Sequence, residues 1–323
     1  MEKIFISQLQ DKQSVSSIFL AKNKVSLKDK RGKSYVSFLL SDSTGDVDAK
    51  IWDNAEAFEN TFQSGDIIFV KGLVQTYQNR KQFVVHKIER YEGEIDIKDY
   101  IKSSALAPED MYRDLLAEVE KFKNQPLQQL ILDTLNDPTV KPLLMVAPAA
   151  KTIHHAKRGG LLEHILSISK LCRRVGEHYA QLDTEILIFG AIFHDIGKIW
   201  ELQIDDRGIS YTDKGRLLGH MALAVELVEK KCQKIFNFPE SLKDICKHMI
   251  LSHHGKQEYG SPKVPQTLEA YVLWMLDDLD SKVDAISAVL ELPSGDGRWS
   301  QYSSLFERHF LIQSFSSEES QDA

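Results

Sequence analysis

The sequence predicts two folds in series: a small all-β barrel followed by an all-α domain. Three observations carry this prediction. The first 95 residues alternate apolar and polar side chains in short runs separated by turn residues. Beyond Pro108 the apolar spacing changes to the three-and-four pattern of helices. A length of 323 residues is also enough for two domains of ordinary size.

Lys33–Leu40 reads as a half-buried strand, with Tyr35, Ser37 and Leu39 on one side and Val36, Phe38 and Leu40 on the other. Ser41–Asp46 is a turn cluster containing Gly45, and Val47–Trp52 is the next strand. A helix-like stretch at Ala55–Phe62 follows, then Gly65-Asp66 introduces the strand Ile67–Val70. Gly72, inside a strand pattern, marks an expected bulge. Leu73–Tyr77 and Gln82–Ile88 form an expected hairpin across Gln78–Lys81. Short strands at this spacing in under 100 residues point to a barrel. The basic run Lys22, Lys24, Lys28, Lys30, Arg31 and Lys33 reads either as a solvated loop or as a set of phosphate contacts beside the first of these strands.

The chain divides into a barrel at 1–95, a linker and helical connector at 96–148, a second domain at 149–313 and a polar tail at 314–323. Pro108-Glu109-Asp110 is good helix-start chemistry, and Met111, Leu115, Val119 and Phe122 recur at helical spacing. Leu127–Leu135, Leu161–Val175, Ile186–Phe193, Ala222–Val228 and Leu268–Leu279 are the further expected helices.

Composition sets outer bounds. With 42% hydrophobic and 27% charged residues, the chain is neither disordered nor fibrous. It contains no apolar run long enough for a membrane helix. The start, Met1–Phe5, lacks the basic and apolar blocks of a secretory signal, and three widely spaced cysteines make no disulfide framework. A reducing cytoplasm and no membrane partner are therefore expected. The formal charge of −7 argues against a nucleic-acid partner until it is divided. Residues 1–95 carry 14 Lys+Arg against 13 Asp+Glu, and the other 228 carry 26 against 34. The acidity belongs almost wholly to the second domain.

Nine of the eleven histidines fall between His154 and His254, around the peptide Phe193-His194-Asp195-Ile196-Gly197-Lys198. An adjacent His-Asp pair offers nitrogen and carboxylate to one cation, a mixture suited to Mn, Fe, Ni, Co or Zn rather than Mg or Ca. The pair ends an apolar run, Ile186–Phe193, that reads as a buried helix, with Gly197 expected to terminate it. Gly159-Gly160 precedes Leu161-Leu162-Glu163-His164, and His220, Leu251-Ser252-His253-His254-Gly255 and Asp277-Asp278-Leu279-Asp280 follow downstream. Rival schemes lack their residues. No GxSxG elbow or GxxxxGK[ST] loop occurs, and Cys172, Cys232 and Cys246 have no CxxC partner.

These blocks, in this order over about residues 150–290, resemble the HD superfamily of metal-dependent phosphohydrolases. The resemblance implies a divalent cation held by His164, His194, Asp195 and Asp277. Asp195 would bridge to a second cation held by His220 and by His253 or His254. Asp277 is preferred to Asp278 and Asp280 because Asp277-x-x-Asp280 best matches the family's late-helix pattern. Two cations sharing a water lower its pKa and neutralise phosphoryl oxygens. Asp195 and Lys198 are thus the catalytic candidates, although Lys198 also reads as a helix-end charge. Lys151, His154, His155 and Arg158 are candidate substrate contacts.

Tyr35–Trp52, an apolar strand, an Asp-x-[ST]-Gly turn and a strand ending in Trp, resembles nucleic-acid-binding OB-folds of the anticodon-binding type. Such folds hold single strands through a basic groove and stacked aromatic rings. Candidates are Lys33, Tyr35, Tyr77, Arg80 and Lys81, with Phe38, Trp52 and Phe83; of these, Phe38 and Trp52 are expected in the barrel core. Gly159–His164, Leu251–Gly255 and Glu258–Pro262 together resemble bacterial OB-plus-HD 3′-to-5′ exoribonucleases of the YhaM type. That resemblance implies a Mn²⁺-dependent enzyme acting on single-stranded RNA or DNA, and leaves a homo-oligomer open. Two other readings compete: a phosphohydrolase of free or cyclic nucleotides with a regulatory OB domain, and a non-enzymatic RNA-binding adaptor.

Overall fold

The computed structural model describes residues 3–29, 31–53, 55–58, 60–77, 80–101, 103–104, 106–151, 155–205, 208–290, 298–303 and 305–312. His154 and the tail 314–323 lie outside these residues, as do the side chains of Tyr77 and Arg80.

The N-terminal strands β1 (Ser14–Lys28), β2 (Ser34–Asp42), β3 (Gly45–Ile51), β4 (Ile67–Tyr77) and β5 (Arg80–Arg90) close a barrel, with the one-turn helix α1 (Ala55–Phe58) before β4. The order around the barrel is β1-β2-β3-β5-β4, with β1 pairing β4 to complete it. All pairings are antiparallel except β3 with β5, where Ala49 faces Phe83. Closure leaves no long sheet edge open to a stray chain. Side-chain parity follows the sequence pattern: Val36, Phe38 and Leu40 are buried, while Tyr35, Ser37 and Leu39 are only half-buried. Phe19, Phe38, Phe62 and Phe83 fill the centre.

Two expectations are corrected here. The basic run is only partly a loop: Lys22, Lys24 and Lys28 lie on β1, paired to β2 up to Lys28–Ser34, Arg31 and Lys33 lie in the turn before β2, and Lys30 lies outside the described residues. The runs 67–70 and 73–77 are one strand, β4, whose register with β5 shifts between Lys71 and Gly72. A Cβ at Gly72 would stand 2.1 Å from the Val84 carbonyl oxygen, so the bulge requires glycine.

The second domain comprises α2 (Pro108–Val119), α3 (Gln125–Leu135), α4 (Lys141–Leu144), α5 (Gly160–His178), α6 (Thr184–Phe193), α7 (Lys198–Glu201), the hairpin β6 (Leu202–Asp205)–β7 (Gly208–Tyr211), α8 (Asp213–Cys232), α9 (Glu240–Ser252) and α10 (Leu268–Leu290). Helices α4, α7 and α9 and the hairpin add to the elements read from sequence. Asp183 caps α6 by accepting from the backbone of Glu185 and Ile186, and Thr212 caps α8 through Gly215. Every residue from Ile186 to Phe193 is buried, so α6 is the axis on which α5, α9 and α10 pack. Its all-round hydrophobicity is what a fully enclosed helix needs. The barrel has its own core, and a smaller cluster of Leu20, Ile67 and Tyr100 seats the linker against it. No helix among the described residues is long and apolar enough to cross a membrane.

Candidate metal centre and strand-binding face

Five helices bring their polar residues to one point. Helix α5 carries His164, the C-cap of α6 is His194 with Asp195 next, and α10 carries Asp277 and Asp280. His220 follows a kink at Gly219 (φ 75°, ψ 157°) inside α8, and His253 and His254 end α9. Asp195 stands at the middle. Its Oδ2 lies 3.7 Å from His164 Nε2 and 3.4 Å from His194 Nε2. Its Oδ1 lies 3.4 Å from His220 Nε2 and 3.7 Å from His253 Nε2. Asp277 Oδ1 joins the first side, 3.2 Å from His164 Nε2 and 3.7 Å from His194 Nε2. His220, His253 and His254 also have ligand atoms within 4.8 Å of one another.

The tautomers are set from behind. Nδ1 faces the Ala191 carbonyl in His194 (3.0 Å), the Ile250 carbonyl in His253 (2.7 Å) and the Tyr259 carbonyl in His254 (3.0 Å). In His164 it faces Asp280 Oδ2 (2.8 Å), and in His220 it faces Glu201 Oε1 (3.2 Å). A carbonyl or carboxylate takes the Nδ1 proton and leaves each Nε2 lone pair aimed inward, the arrangement metal-ligating histidines use. Burial, with the crowding of the His194 and His254 imidazoles against it, holds His253 well below the usual imidazole range, and burial likewise lowers His254. Both therefore present neutral nitrogens. Burial also works against the charged form of His164, but Asp277 and Asp280 outweigh it and raise that imidazole to about 9, so a cation bound there would have to displace its Nε2 proton.

Asp195 Oδ1, His220 Nε2 and His253 Nε2 are buried and have no hydrogen-bond partner. Buried polar atoms left this way are costly unless a cation completes them. Three orphaned atoms facing one centre, with mixed nitrogen and oxygen donors, fit a divalent transition metal.

Lys198 Nζ donates to Asp195 Oδ2 at 2.6 Å. A cavity of about 240 Å³ opens onto this centre, lined by Asp195, Lys198, His253, His254 and Asp277, with Tyr259, Trp274, Asp278 and Ser281. Gly197 does not end α6 as expected: its φ of −63° is right-handed, and it precedes α7. Its glycine character serves a close approach instead, since a Cβ would sit 2.0 Å from the His220 carbonyl oxygen. The tight fit brings the α6–α7 turn and α8 together, and with them Asp195 and His220.

The expected substrate contacts fare differently. His155 is buried, at φ 49°, with Nε2 3.1 Å from Asp280 Oδ2, so it braces the carboxylate behind His164 and does not line the cavity. Lys151 is exposed, and Arg158 is half-buried with its backbone bridged to Ser103; neither lines the cavity. Glu201, which accepts from both the backbone and the ring of His220, had no signal in the sequence, because the link spans 19 residues and a kink.

On the barrel, Tyr35 and Trp52 stack at 4.6 Å between centroids and 25° between planes on the β2–β3 face. Lys50 Nζ lies 5.4 Å from one ring centroid and 5.6 Å from the other. Trp52 is therefore on the outer face rather than in the core, whereas Phe83 is fully buried and offers no surface to a base. Lys33 pairs with Asp53 at 2.7 Å, and Lys81 Nζ donates to the Leu9 carbonyl. A cavity of about 220 Å³ beside Tyr35 is lined also by Ser26, Lys28 and Ser34. The β2–β3 face is where barrels of this kind hold oligonucleotides.

Known proteins match both halves. The HD domain model matches residues 161–282, and the model for an OB-fold nucleic acid binding domain matches residues 21–91. The 3'-5' exoribonuclease YhaM of Halalkalibacterium halodurans is 31% identical over 283 residues, covering 86% of this chain and 87% of the relative. The proteins of the same name from Bacillus velezensis and Bacillus subtilis are 32% and 31% identical, each over 86% of this chain and 88% of the relative. With both domains matched and the likeness running through most of either chain, this protein belongs to the YhaM 3'-5' exoribonuclease family.

Proposed function

We propose that the protein is a metal-dependent hydrolase that shortens single-stranded RNA from its 3′ end, the barrel holding the strand and the helical domain cutting it. The observation that carries this reading is the pair of donor sets facing the two oxygens of Asp195. His164, His194, Asp195 and Asp277 would hold one divalent cation, and His220, His253 and His254, with Asp195 shared, a second. Once bound, such cations acidify a water and neutralise phosphoryl oxygens. Mn²⁺, which the family resemblance implies, is one of several cations that a mixed imidazole and carboxylate set can hold.

The remaining work falls to the chain's own side chains. Burial opposes the charge on Lys198, but the carboxylates of Asp195, Asp277 and Glu201 outweigh it and keep the amine protonated. Lys198 therefore fixes the Asp195 carboxylate and presents a cation to a phosphate entering the cavity. Tyr35, Trp52, Lys50 and Lys33 offer the strand two stacked rings and two positive charges on the barrel. Three free, buried thiols suit a reducing cytoplasm.

The test is to incubate the purified protein and Mn²⁺ with 5′-labelled single-stranded RNA and resolve products by length. A descending ladder that Asp195→Ala abolishes is the expected outcome. Intact RNA alongside dephosphorylated mononucleotides would refute the reading.

A further inference from the structure

Besides its metal donors, Lys198, Asp278 and Ser281, the cavity is lined by two aromatic rings, Tyr259 and Trp274, to which nothing above gives a task. Trp274 lies on α10 one turn before Asp277. Its indole rests on the backbone of Gly255: a Cβ there, at φ 75°, would stand 2.2 Å from the ring atoms Cδ2 and Cε2. Only glycine lets the ring lie this close to the segment that follows His253 and His254. Tyr271 packs against Trp274 edge-on, with centroids 5.3 Å apart, and helps to hold its plane.

Tyr259 closes a single turn, Gln257–Tyr259, and its carbonyl is the acceptor that orients His254. The backbone is thus tied to the metal donors, while the side chain is 59% exposed. The ring stands at the lip of a polar cavity with Lys256 Nζ 5.3 Å from its centroid, a flat apolar body with a polar tip of the kind enriched where proteins bind partners.

A terminal nucleotide has the matching anatomy, an anionic phosphate and a flat base joined by a sugar. The phosphate belongs with Lys198 and the cation donors. At about 240 Å³ the cavity is smaller than the ~300–1,000 Å³ of ordinary ligand pockets, too small for a run of nucleotides. We infer that Tyr259 and Trp274 form a stacking subsite for the base of the 3′-terminal nucleotide, the one about to be released. This inference rests on the exonuclease reading and assigns it a subsite. Stacking uses a π face that every base has, so the subsite accepts any base and requires only that one be present.

The experiment compares two 5′-labelled RNAs of one sequence, one ending in an ordinary nucleotide and one in an abasic ribonucleotide. Both are given to the wild type, Tyr259→Ala and Tyr259→Phe with Mn²⁺. Removing the base should lower wild-type kcat/KM about tenfold, the size of one base–aromatic stack. Tyr259→Ala should lose about tenfold on the ordinary end but several-fold less on the abasic end, and Tyr259→Phe should recover most of the loss. Equal wild-type rates on both ends, or losses that simply multiply, would overturn the subsite.

A binding measurement separates this failure from that of the exonuclease reading. In Trp52→Ala protein, AMP added with Mn²⁺ should quench tryptophan fluorescence, Trp274→Phe should remove that quenching, and Tyr259→Ala should weaken binding about tenfold. If no RNA is shortened yet AMP binding depends on both rings, the exonuclease reading fails and the base site stands. AMP binding indifferent to both rings removes the site.

Discussion

Asp195 shows how much of this protein's chemistry is decided one side chain at a time. Each of its oxygens faces a different pair of imidazoles, and each imidazole is turned by an acceptor on its far side. Two of those acceptors are backbone carbonyls, which substitution cannot remove, but Asp280 and Glu201 are side chains. Glu201→Gln should therefore weaken Mn²⁺ binding by roughly 10–100-fold, as loss of a partner behind a ligand commonly does. Calorimetric titration would reveal it, and an isotherm matching the wild type would disprove the role. The inward-facing residues were legible in the sequence because their order, around the His194-Asp195 pair, resembles that of the HD superfamily. Glu201 was not, since its bond to His220 exists only after α8 kinks. Nor was the burial of His155, which depends on a left-handed backbone and on Asp280 from a helix 125 residues away.

Among the elements, α6 and β2 were the easiest to read. An unbroken apolar run needs enclosure on all sides, and strict alternation assigns one face to the core. β1 was obscured for a physical reason. Its inward positions are Val15, Ser17, Phe19 and Ala21, and Ser17 breaks the apolar pattern. That hydroxyl is buried because it exchanges hydrogen bonds with the Ile4 backbone, at 3.0 and 3.1 Å. Trp52 was misplaced because a tryptophan after an apolar strand ordinarily packs inward, whereas here the strand ends at Ile51 and the ring turns onto Tyr35. The outer position gives the β2–β3 face its platform. Trp52→Ala, made in Asp195→Ala protein so that the strand survives, should cost about 1–3 kcal/mol in binding single-stranded RNA by fluorescence anisotropy. Affinity unaltered by the substitution would move the strand to another face of the barrel.

Across the whole molecule, the charge that seemed to forbid a nucleic-acid partner separates by domain. The barrel is close to neutral with a basic strand, and several carboxylates of the acidic remainder face the cation-binding point. Each half has its own hydrophobic core, so the two tasks are separable in principle. Removing residues 1–95 should weaken binding of a long strand far more than it slows hydrolysis of a dinucleotide, as separate titrations and rate measurements would show. Equal losses on both would mean that the barrel acts on the cutting site itself.

That all five barrel strands lie between Ser14 and Arg90 has a consequence in the order of synthesis. The barrel is complete once Arg90 has been made, because its closure draws on no later strand. The helical centre must wait for Asp277, 187 residues further on. At about 5–20 residues per second that interval lasts roughly 10–40 seconds. A nascent chain thus gains a surface able to hold RNA well before it has assembled the means to degrade it.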